Sequence, residues 1–102
     1  MQEKRLHPRH PLAFEVIVHT PDGQQIRGHS QDLSLGGMFV RAAQNLPFGT
    51  AVEVELPLPG LGQVRLPATV RWTKPDGLGV QFGLIGARQT HAISALVVAS
   101  QA

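Results

Sequence analysis

The chain has 102 residues, of which 42% are hydrophobic and 16% charged, with a net charge of +2. That length holds one core and not two, and this apolar fraction with so little net charge excludes a disordered chain. With no cysteine, disulfides, thiolate catalysis and cysteine-ligated zinc are excluded, and no apolar run approaches the roughly 20 residues that span a bilayer.

The N-terminus is polar and lacks a hydrophobic signal core, so a cytoplasmic location is expected. Residues 4–10, Lys-Arg-Leu-His-Pro-Arg-His, form the densest positive cluster. Pro8 disfavours the α region at His7, which predicts an extended or looped segment. Residues 1–10 are therefore read as a flexible basic arm, with Arg5 and Arg9 able to close on a shared anion. A solvated basic tail is the plain alternative.

Leu12 to Thr20 reads as a strand with Phe14, Val16 and Val18 on one face. Pro21-Asp22-Gly23 supplies turn chemistry, and a second strand runs from about Gln25 to Asp32. The stretch Asp32-Leu33-Ser34-Leu35-Gly36-Gly37 enters as a strand-like alternation and leaves through a glycine pair. The glycines permit conformations closed to other residues and let a partner approach the main chain. A carboxylate, a hydroxyl and bare backbone together suit the polar edge of a planar ligand, although the same residues serve ordinary turns.

Met38 to about Ala43 is a short third strand. Thr50 to Leu58 alternates cleanly, with Val52, Val54 and Leu56 against Glu53 and Glu55. Gln63 to Thr73 is a long strand in which Pro67 predicts a bend, bulge or edge. After Pro75-Asp76-Gly77, Leu78 to Leu84 is the last strand, with Leu78, Val80 and Phe82 in phase. Six strands joined by short turns predict an all-β protein, a six-stranded antiparallel β-barrel, because closure removes exposed edges. Ile93, Leu96 and Val97 recur at helical spacing, so a helix over about 86–101 completes the domain of residues 11–102 or packs beside a partner.

Two of these features combine. Arg5-Leu6-His7-Pro8-Arg9 fits RxxxR, and Asp32-Leu33-Ser34-Leu35-Gly36-Gly37 fits DxSxxG with a spare glycine inside it. In this order, a strand hairpin apart, they resemble the signature of the PilZ domain. The resemblance continues through Val70-Arg71-Trp72 and Gly77-Leu78-Gly79-Val80-Gln81-Phe82, and covers the chain from Lys4 to the C-terminal helix. It implies a PilZ-like barrel that binds cyclic di-GMP and signals to a protein effector, with no other cofactor.

By the same resemblance, Arg5 and Arg9 engage phosphates and guanine bases, and Asp32 and Ser34 read a guanine edge. Gly37, with Gly36 beside it, lets the ligand lie close to the backbone. Lys4, a basic residue just before the first arginine, implies two self-stacked ligand molecules rather than one. Trp72 shares the phase of Val70, which favours a core position; the alternative puts Arg71 and Trp72 at the border of the pocket. His7-Pro8 inside the arm stiffens the segment that has to wrap the ligand.

Three other readings compete. Asp32, Ser34 and the histidines at 7, 10, 19, 29 and 91 supply the letters of a catalytic triad. Asp32 and Ser34 stand two apart on one strand, however, which leaves no room for a bridging base, and no dense metal-ligand pattern appears. No enzyme and no metal site is therefore expected. Single-stranded nucleic acid would need exposed aromatic platforms, whereas Phe14 and Phe82 fall in the apolar phase, so no nucleic-acid partner is expected. Nor is membrane insertion. The third is a nucleotide-independent PilZ-like adaptor in motility or pilus function, disfavoured because both halves of the signature are present.

Overall fold

The computed structural model describes residues 14–44 and 46–101. The expected basic arm, with Lys4, Arg5 and Arg9, lies outside the described residues, as does the start of the first expected strand.

Six strands and one helix follow in order: β1 (Glu15–His19), β2 (Gln25–Gln31), β3 (Gly37–Arg41), β4 (Ala51–Leu58), β5 (Gly62–Lys74), β6 (Gly77–Phe82) and α1 (Ala87–Gln101). Every pairing is antiparallel, and the ring β1-β2-β3-β6-β5-β4 closes where β1 meets β4. The result is the barrel-like architecture that the strand count predicted, with β6 diametrically across the ring from β1.

Period-two alternation fills the interior. Val16 and Val18, Val52 to Leu58 in alternation, Leu66 to Val70 in alternation, and Leu78, Val80 and Phe82 are all buried there. Helix α1 packs on β4 and adds Ala92 and Ile93 to the same cluster, with Leu96 and Val97 half-buried against it. It completes the domain's own core. The reach of the strand pattern was overestimated at one end: β6 stops at Phe82, and Leu84 is almost fully exposed.

Two further expectations are corrected. Of the three readings of Pro67 the edge holds on the β6 side, because the β5–β6 register begins only at Ala68↔Phe82 and the proline interrupts no ladder there. The irregularity comes later. Val70 pairs with Val80 but Trp72 pairs with Gly79, leaving Arg71 as one extra residue on β5. A β-bulge of this kind reverses the facing of everything beyond it. Trp72 is therefore on the outer wall and 58% exposed, not in the core. Finally, residues 32–36 are a loop between β2 and β3 rather than a continuation of β2.

Candidate functional site

The loop of residues 32–36 is built by its own polar atoms. Asp32 takes a left-handed backbone, φ 55°, one of the few non-glycine types that tolerate it. The Ser34 amide donates to the Gly37 carbonyl at 2.8 Å, and the Ser34 hydroxyl donates to the same carbonyl at 3.2 Å. That hydroxyl also accepts from the Gly36 amide at 3.3 Å. Phe82 N–H donates to the Gly36 carbonyl at 2.8 Å, which ties the loop to β6. Ser34 is thus a loop-forming residue whatever else it does.

The glycine pair divides its work. Neither Gly36 nor Gly37 has a left-handed φ. A Cβ on Gly37 would stand 2.0 Å from the Val80 carbonyl oxygen, so β6 itself demands glycine there. A Cβ on Gly36 would meet nothing within 4 Å. The fold does not need that glycine.

The loop forms one end of an open cleft of about 930 Å³ on the outer wall of β3, β6 and β5. Its floor follows from the register. Phe39, Gly79 and Trp72 form one row across the three strands, and Arg41, Gly77 and Lys74 the next. The outward positions of β6 are Gly77, Gly79 and Gln81, so two side chains are missing from that wall. Aromatic rings occupy the gaps: a Cβ on Gly79 would lie 2.3 Å from Trp72 Cε3, and one on Gly77 2.9 Å from the Phe39 ring.

Phe48 adds a third ring, 67% exposed. Its loop is tied to β5 beside the bulge, with Gly49 N–H donating to the Val70 carbonyl at 2.7 Å. Two cations are held over these rings. The Arg71 guanidinium lies 5.8 Å from the Phe48 centroid, with its Nε–H donating to Gln81 Oε1 at 2.9 Å. Lys74 Nζ lies 5.5 Å from the Phe39 centroid.

The cleft therefore gathers Asp32, Ser34, Gly36 and Gly37 from the motif and Arg71 and Trp72 from the other expectation. Lys4, Arg5 and Arg9 fall outside the described residues. Sequence reading missed Phe39, Phe48, Lys74 and Gln81, which only the β3–β6–β5 register and the loop before β4 bring together. One signal was present: glycines at alternate positions of a strand, Gly77 and Gly79, mark a face over which something packs closely. The favoured core position of Trp72 fails, and Phe48, a loop residue without an assigned role in the sequence, is exposed as well. Among the described residues no group of His, Asp or Glu could hold a metal ion, and no helix is long and apolar enough to cross a membrane.

Chemically, the described residues make an aromatic floor with one carboxylate at its end, glycine clearance beside that carboxylate, and two cations along its side. Rings accept stacked planar groups, a carboxylate accepts N–H donors, and cations take anionic oxygens.

The model of the PilZ domain family matches residues 3–99. The cellulose synthase catalytic subunit (UDP-forming) of Xanthomonas axonopodis pv. citri is 33% identical over 75 residues, which is 72% of this chain and 10% of that protein. The chain thus spans about a tenth of that relative. A crystal structure of the PilZ domain of CeSA from a cellulose-synthesizing bacterium superposes with a TM-score of 0.70 at 26% identity, covering 89% of this chain and 95% of the other. Fold, motif loop and family match agree: the chain belongs to the PilZ domain family, a family of cyclic di-GMP receptors.

Proposed function

We propose that this chain binds cyclic di-GMP in the β3–β6–β5 cleft and passes the signal to a protein effector without catalysing a reaction itself. The observation that carries the reading is the coincidence of the Asp32–Gly37 loop with an aromatic-floored cleft of about 930 Å³, within the usual range for small-molecule sites. A guanine stacked on Trp72 would gain roughly 1–3 kcal/mol from the ring alone. Asp32 would accept the N–H donors of its Watson–Crick edge, and Gly36 would leave room for the ring to approach.

Arg5 and Arg9 supply the opposing charges in this reading. Their route is short. Phe14 is bonded in both directions to Ser30, its N–H to the hydroxyl at 3.3 Å and its carbonyl to the Ser30 N–H at 3.0 Å. Ser30 stands two residues before Asp32, so the chain joins the barrel beside the motif loop. Arg9, five residues earlier, reaches within about 17 Å of Phe14 at full extension. An arginine fork fits both a phosphate and the O6/N7 edge of guanine. Closure of the expected arm, residues 1–10, over the ligand would cost roughly 1–2 kcal/mol for each residue it fixes and create the surface an effector reads. Lys4 beside Arg5 favours two stacked ligand molecules.

Calorimetric titration with cyclic di-GMP tests this, with Arg9→Ala and Asp32→Ala alongside and GTP as competitor. Saturable binding, resistant to GTP and lost in both variants, is the expected result, and its stoichiometry tests the role of Lys4. No heat and no thermal shift up to about 100 μM ligand overturns the receptor reading and leaves the nucleotide-independent adaptor in its place.

A further inference from the structure

The outer wall carries two kinds of cation. Arg27, Arg41 and Arg65 lie within ion-pair distance of carboxylates, at 3.3 Å from Glu15, 3.9 Å from Asp76 and 3.4 Å from Glu53. Arg71 is different. Among the described residues no carboxylate lies within ion-pair distance of it; an amide oxygen and the Phe48 ring hold it instead. Only its Nε–H is engaged in that way, and the Nη fork has no hydrogen-bond partner among the described residues. The fork is the part of arginine that matches a phosphate in two parallel bonds.

Lys74 borders the same cleft three residues on, its Nζ over the Phe39 ring. The bulge at Arg71 makes the pair. Without the extra residue, Arg71 and Lys74 would alternate to opposite faces of β5; with it, both line one cleft. Among the described residues the cleft has a single carboxylate, Asp32, beside these two cations. Both ring contacts hold the side chains in place before any ligand arrives, which lowers the entropy lost on forming a contact.

We infer that Arg71 and Lys74 are ligand-contacting residues that hold the anionic phosphate oxygens of the dinucleotide from the barrel side of the cleft. This rests on the receptor reading above and extends it. The phosphates would be gripped by residues belonging to β5, fixed in the fold. Arg71 contributes a bidentate fork and Lys74 a compact point charge.

The test is titration of the full chain with cyclic di-GMP for wild type, Arg71→Gln, Lys74→Gln and Lys74→Arg, at low salt and at about 0.5 M salt, where screening weakens charge contacts. Both altered side chains are exposed, and thermal melts check that the fold is retained. Each Gln variant is expected to bind about tenfold or more weakly and to lose part of the wild-type salt dependence. Lys74→Arg keeps both. Gln variants that bind as wild type does overturn the inference and leave the receptor reading intact. Weaker binding with unchanged salt dependence also overturns it, since the residues would then be bracing Phe48 and Phe39 rather than meeting charge. Absence of binding by the wild type overturns both readings together.

Discussion

Two stretches of the outer wall face each other across the ring and are built on opposite rules. On β1, β4 and the first half of β5 the outward positions include His19, Glu53, Glu55, Gln63 and Arg65, long polar side chains that meet across the ladder. Glu55 receives Gln63 at 3.0 Å, lies 2.7 Å from His19 Nε2, and stands 3.8 Å from Arg65, which also reaches Glu53 at 3.4 Å. On β3, β6 and the second half of β5 two of the three outward positions of β6 are glycines, and the rings of Phe39 and Trp72 lie over them. The first wall satisfies itself. The second borders an open cleft, with the Arg71 guanidinium over the Phe48 ring and Lys74 Nζ over the Phe39 ring. A barrel closed by one core can thus leave one wall open as a cleft while the other is spent on cross-strand pairs.

The largest effect comes from filling the glycine wall from within. Gly37→Ala puts a methyl 2.0 Å from the Val80 carbonyl oxygen, a backbone atom that cannot move without opening the β3–β6 ladder. A loss of about 1–3 kcal/mol or more is expected, the range of overpacked cores, read as a lower urea midpoint at unchanged slope. An unchanged midpoint would mean that Gly37 is kept for the ligand alone. Gly36→Val sharpens the contrast from the other side. Its side chain enters open space next to Asp32, so stability stays within about 0.5 kcal/mol. Affinity for cyclic di-GMP falls about tenfold or more, because the same space has to hold the ligand. If Gly36→Val binds normally, the ligand does not pass that end of the cleft.

How much of this was legible in the sequence follows from the same contrast. The ion-pair wall and the core obey period two without interruption, so Val16 and Val18, Val52 to Leu56, and Leu78 to Phe82 were placed correctly from alternation alone. The motif loop was found as a site candidate but read as strand, because Asp32, Ser34 and their leucines happen to alternate. The left-handed φ of Asp32 and the bonds of Ser34 to Gly36 and Gly37 end the strand instead. Trp72 was misplaced for one reason, the extra residue at Arg71, and a bulge has no period to betray it. Lys74 and Gln81 were invisible because they meet through the register of neighbouring strands, which spacing along the chain does not encode. The second wall is harder to read because it departs from regularity, and those departures build the cleft.

The smallest effect is expected on the self-satisfied wall, and it is one of pH. Hydrogen bonds from Gln63 and then His19, with the charge of Arg65, hold the Glu55 carboxyl below its ordinary value of 4.5. A carboxyl whose folded value is lowered is more easily protonated in the unfolded chain. Its contribution to stability is therefore complete above the ordinary value and disappears as pH falls through the lowered one. Glu55→Gln removes that linkage. Wild type should lose stability more steeply than Glu55→Gln across the acid range below 4.5, when urea midpoints are followed from neutral pH downward, while the neutral-pH affinity for cyclic di-GMP stays the same in both. Parallel acid profiles would show that the wall's polar network does not couple to folding. A changed affinity would break the comparison itself: β1 and β4 stand across the ring from β6 and β3, and only a barrel that deforms as a unit could carry the loss of one carboxylate from one wall to the other.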